Sequence, residues 1–191
     1  SPEGQTFCSK CEAGTFLEDD GDRLCHGCPG GYVSSYGTTA CDLCEAGYFS
    51  IGTNQTSCDP CDQGKYSSEQ GAASIDTCLK CPKGTYSSAK GVHTIDDCNS
   101  CTPGKFSVVS GNSKSCTDCP FGWLQEKEGQ DHCKKPDATF IVGVGGASQQ
   151  QVAEGWVKSG CNEELQCNSS KPCDEGTIST PSRDVCDQCP P

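Results

Sequence analysis

The residues with the greatest capacity for chemistry are cysteines, and they come in pairs. Eight Cys-x-x-Cys pairs occur, at 8/11, 25/28, 41/44, 58/61, 78/81, 98/101, 116/119 and 186/189. Taken once, a pair followed about 13 residues later by another would suit tetrahedral zinc. The same motif serves dithiol redox chemistry, but that needs a helix N-terminus to lower one thiol pKa, and here Gly and Pro follow the pairs. Eight pairs in acidic, glycine-rich surroundings favour a third use, structural crosslinking.

Other candidates are sparse. His26, His93 and His132 are spread along the chain with no serine or aspartate arrangement that would make a triad. Asp19, Asp20 and Asp22, and the pair Asp96 and Asp97, could contribute to weak calcium sites, yet no spacing matches a recognised calcium loop and solvated acidic turns are the preferred reading. Asn54-Gln55-Thr56 and Asn168-Ser169-Ser170 are N-glycosylation sequons in expected loops. The expectation is a non-catalytic chain with no cofactor and no metal.

Composition says what must position these residues. Twenty of 191 residues are Cys, whereas Leu, Ile, Val and Phe together number only 26, so a conventional core is out of reach. Crosslinks must replace it, and disulfides persist only in an oxidising compartment. The net charge of -12 argues against nucleic acid, which needs clustered Lys and Arg, and against an anionic membrane surface. No apolar run approaches the roughly 20 residues of a membrane span, and no signal-peptide pattern is present.

In order along the chain, residues 1–133 read as tandem Cys-x-x-Cys-x-x-Gly repeats, whose glycines are Gly14, Gly31, Gly47, Gly64, Gly84, Gly104 and Gly122. Each glycine suits a turn with positive φ or a close approach of backbone. Two residues on stands Phe16, Val33, Phe49, Tyr66, Tyr86, Phe106 or Leu124, expected to pack on a neighbouring disulfide and usually followed by Ser. A second glycine, at 21, 37, 52, 71, 91, 111 and 129, reads as the hairpin turn. Residues 134–160 form a cysteine-free insert, in which 139–144 predicts a strand and 147–157 a short helix carrying Val152, Ala153 and Trp156. Residues 161–191 resume the cysteine-rich pattern, and Cys173 with Gly176 keeps half a unit. The fold class is therefore small and disulfide-rich: an elongated tandem array of short two-stranded loops stapled by disulfides, with little helix.

In extended backbone, residues i and i+3 point to opposite sides, so the two members of a pair can reach backward and forward. A serial scheme then joins Cys11 to Cys25, Cys28 to Cys41, Cys44 to Cys58, Cys61 to Cys78, Cys81 to Cys98, Cys101 to Cys116, Cys119 to Cys133, Cys161 to Cys167 and Cys173 to Cys186. A crossed scheme, 8–25 with 11–28 and so on, would require two alternating kinds of interval. The intervals do not alternate, which favours the serial order without closing the question. Serial pairing leaves Cys8 and Cys189 to pair outward, as expected of a piece of a longer array.

The unit Cys61, Gly64, Tyr66, Ser67, Gly71, Cys78, Cys81 resembles the ephrin-receptor-like cysteine-rich repeat, over roughly residues 8–133 and 173–189. More loosely the pattern is similar to tumour-necrosis-factor-receptor and growth-factor-like (EGF-like) modules and to cysteine-rich surface proteins of protists. The resemblance implies an extracellular or cell-surface module without catalytic residues. Two functions fit: a rigid rod in a filament, surface coat or adhesion protein, or a receptor ectodomain that captures a separate protein ligand. For the first, the insert would supply contacts to further copies or to other coat proteins through Phe140, Ile141, Val142, Val144, Val152 and Trp156.

Overall fold

The computed structural model describes residues 10–17, 24–143, 145–154, 156–161, 167–174 and 177–188. Cys8, Cys189, Val144, Asp19, Asp20, Asp22, Gly21 and Gly176 lie outside the described residues. Those that are described build nine two-stranded antiparallel sheets and no α-helix. Their compact units are Ser1–Cys81 with Ser87–Cys98, and Pro82–Tyr86 with Asn99–Pro191.

One hairpin design recurs six times. The two residues after the motif glycine form one strand, and the two residues between the cysteines of the next pair form the other. Thus β1 (Thr15–Phe16) pairs with β2 (His26–Gly27), β3 (Tyr32–Val33) with β4 (Asp42–Leu43), and β5 (Tyr48–Phe49) with β6 (Asp59–Pro60). Likewise β7 (Lys65–Tyr66) pairs with β8 (Leu79–Lys80), β9 (Thr85–Tyr86) with β10 (Asn99–Ser100), and β11 (Lys105–Phe106) with β12 (Thr117–Asp118). Strands of two residues cannot hold themselves, and each is closed covalently. Disulfides join Cys11–Cys25, Cys28–Cys41, Cys44–Cys58, Cys61–Cys78, Cys81–Cys98, Cys101–Cys116, Cys119–Cys133, Cys161–Cys167 and Cys173–Cys186. Eight of them span 13 to 17 residues. Chain-entropy reasoning assigns about 3 kcal/mol to a loop of that length.

Within each unit the repeats are also knitted by backbone hydrogen bonds. The motif glycine donates its N–H to the carbonyl of the next repeat's serine: Gly14 to Ser34 at 3.0 Å, Gly31 to Ser50 at 2.9 Å, Gly47 to Ser67 at 2.7 Å and Gly64 to Ser87 at 2.8 Å. Each of those serines in turn donates its N–H to the repeat after its own, Ser34 to Gln55, Ser50 to Ala72 and Ser67 to Val92. In the second unit Gly84 donates to Ser107, Gly104 to Gln125, and Ser107 to Gln130. A simple series of stapled loops has no contact beyond its neighbour; here Gly14 lies against Asn54 and Gly31 against Gly71, so close that a Cβ would meet the carbonyl oxygen of the second repeat along at 2.2 and 2.0 Å.

The core follows that stacking. It consists mostly of cysteines, with Phe49 against Cys61, Ala72 and Cys78 as one cluster. The serines are as buried as the cysteines, Ser50 being 1% exposed, because each hydroxyl is occupied. Ser50 Oγ donates to the Tyr32 carbonyl and accepts the Gly31 N–H. Two 3-10 turns, Ile75–Thr77 and Ile95–Asp97, lead into first cysteines of the pairs.

Two expectations are corrected. The turn of the 44–58 repeat is not centred on Gly52. Elsewhere Gly37, Gly71, Gly91 and Gly129 donate their N–H to the second cysteine of the preceding repeat, and here Asn54 does so, to Cys28 at 2.9 Å with φ 61°. Nor is 147–157 a helix. β13 (Phe140–Val142) pairs with β14 (Gln149–Gln151), and the hairpin is closed by Gly143 N–H to Ser148 and Val152 N–H to Thr139, each at 2.9 Å. An apolar strand leaves its backbone groups unpaired unless another strand comes beside it, and the polar Gln run fills that place. β15 (Trp156–Cys161) runs across the end of the cysteine-free insert to pair with β16 (Cys167–Pro172). β17 (Thr177–Ser179) and β18 (Cys186–Gln188) form the last hairpin.

Candidate functional site

After Cys133 no further repeat follows directly, and the insert takes its place against the last full repeat. Gln125 stands where earlier repeats have serine; its N–H donates to Gly146 at 2.8 Å, and its side-chain amide donates to the His132 carbonyl at 2.7 Å. Leu124, fully buried, exchanges backbone bonds with Lys134 at 2.8 and 2.9 Å. A Cβ on Gly104 would meet the Gly145 carbonyl oxygen at 2.1 Å, as one on Gly84 would meet that of Gly129. The Gly143–Gly146 turn therefore supplies the rung that a following repeat would have supplied.

Beside this rung lies a groove of about 330 Å³, lined by Cys119, Pro120, Phe121, Gly122 and Trp123 on one side and Val142, Gly143, Gly145, Gly146 and Asn168 on the other. Phe121 is 47% exposed, and Lys135 Nζ sits 5.3 Å from the centre of the Trp123 ring. The geometry favours an apolar or stacking partner over proton transfer: no acid, base or nucleophile lines it.

The expected contact residues are not assembled there as an exposed patch. Ile141, Val142 and Val152 are buried, at 6%, 2% and 2% exposed, and Ile141 and Val152 pack with Cys167. They are core of the capping hairpin, which corrects their assignment as partner anchors. Phe140 is half-buried, and among the described members of the set only Trp156 is exposed. Asn54 and Asn168 are both exposed. Asp97 closes a capping box with Thr94, accepting from its N–H and hydroxyl, so it is engaged in local structure. His132 lies 2.6 Å from Asp131, and that hydrogen bond holds the Asp131 carboxyl below its ordinary pKa. Among the described residues no cluster of His, Cys, Asp and Glu could hold a metal ion.

No family model and no curated protein matches this chain. Its own geometry carries the functional argument. Phe121 and Trp123 were missed by sequence reasoning because only the periodic aromatic position was followed. The signal was present: Phe121-Gly122-Trp123 places two aromatics outside that register.

Proposed function

We propose that the chain is a structural, non-catalytic building block of an extracellular or cell-surface assembly such as a filament, coat or adhesion protein. The observation that carries this reading is the double fastening of the tandem repeats, one disulfide closing each loop and backbone hydrogen bonds tying it to the next repeat, while the motif glycines Gly14, Gly31 and Gly47 lie against the second repeat along. Such a device resists local opening, proteolysis and pulling, since no repeat can open without losing bonds to its neighbours. Nine disulfides mark an oxidising environment, and no helix among the described residues is long and apolar enough to cross a membrane. The acidic surface keeps such blocks apart in solution, and ephrin-receptor-like repeats, which the motif resembles, fit the same setting.

Imaging of native material tests the proposal. Ordered assemblies containing many copies are the expected result. A monomeric chain that retains one globular ligand on an affinity surface would replace the scaffold reading by that of a receptor ectodomain.

A further inference from the structure

We propose that Asn168 carries an N-linked glycan whose innermost sugars lie in the groove beside Phe121 and Trp123, so that the chain's own glycan covers its exposed aromatic patch. This rests on the secretory setting proposed above. The two sequons are alike in sequence and differ in structure. Asn54 is itself a turn residue: φ is 61°, its N–H is bonded to Cys28, and its side-chain oxygen presses on Gly27, where even a Cβ would come within 1.9 Å. Asn168 instead stands exposed on β16, and it forms part of the groove wall. The groove volume, about 330 Å³, falls at the lower end of small-ligand sites. Gly143, Gly145 and Gly146 line one side without side chains, and Phe121, 47% exposed on the other, offers an aromatic ring for contact with the apolar face of a pyranose.

In the modification, Asn168 Nδ2 forms a bond to the anomeric carbon of a lipid-diphosphate-linked oligosaccharide. The lipid diphosphate leaves, and the amide gives up one proton. Ser170 supplies the hydroxyl of the sequon.

The full chain produced in a eukaryotic secretory host, with and without Ser170→Ala or Phe121→Ala, tests this. Expected are a glycopeptide at Asn168 that disappears in Ser170→Ala, and release of the glycan from the folded protein by an amidase several-fold faster in Phe121→Ala. An unmodified Asn168 in secreted, fully disulfide-bonded protein overturns the proposal and leaves the scaffold reading standing. An occupied Asn168 whose glycan is released at the same rate in Phe121→Ala overturns its placement in the groove. Free thiols throughout the secreted chain would instead defeat the compartment reading, and the glycan proposal with it.

Discussion

Gly31 and Gly52 have almost the same backbone, φ 84° and 82°, yet they occupy different surroundings. A Cβ at Gly31 would meet the Gly71 carbonyl oxygen at 2.0 Å, whereas one at Gly52 meets nothing within 4 Å. Both substitutions to alanine incur the left-handed penalty of about 1–2 kcal/mol, but only Gly31→Ala must also push two repeats apart. Urea unfolding should therefore show Gly31→Ala losing clearly more stability than Gly52→Ala, and equal losses would contradict the interlocked stacking. The buried serines belong to the same arrangement. Ser50→Ala takes the hydroxyl donor from the Tyr32 carbonyl, while the Gly31 N–H keeps its bond to the Ser50 carbonyl, and should cost about 1–2 kcal/mol. At Asp131 the consequence is a titration. Its carboxyl is held below the ordinary value by His132, so the contact is present above the unfolded pKa and is lost as pH falls through the folded one. In an NMR titration its midpoint should lie low in the native chain and rise in His132→Ala.

At the scale of elements, the pair spacing and the glycine that follows it made the hairpins legible, because the cysteines fix both ends of each loop. The residues between the cysteines become strands since the pair must stay extended to reach two partners. What the spacing did not reveal was the contact between a repeat and the second one along, because Gly31 and Gly71 are brought together by winding of the backbone and by no local pattern. The insert misled for a related reason. Val152 and Trp156 have helical spacing, but the exposed edge of Phe140–Val142 claims Gln149–Gln151 as its partner, and Val152 is drawn inside. Val152→Ala should thus destabilise the capping hairpin by about 1–3 kcal/mol. Hydrogen exchange should register that as faster opening at Leu124 and Gln125, the residues leaning on the cap, while exchange at Ser50 stays unchanged.

For the molecule as a whole, the shortage of apolar residues makes the covalent loops decisive. Several loops at about 3 kcal/mol each exceed the roughly 5–15 kcal/mol that separates folded from unfolded states in ordinary domains. Function was the least legible property, since a repeated crosslink describes a material more than a partner. The compartment could be read from Cys8 to Cys189 by count alone, whereas Phe121 and Trp123 acquire meaning only once the turn at Gly143–Gly146 stands opposite them. The most direct test is peptide mapping of native protein under non-reducing conditions with thiol exchange blocked. The account requires crosslinked peptides joining consecutive pairs, Cys11 with Cys25 and Cys28 with Cys41 first among them. Recovery of Cys11 joined to Cys28, or of unmodified thiols in folded protein, would contradict it.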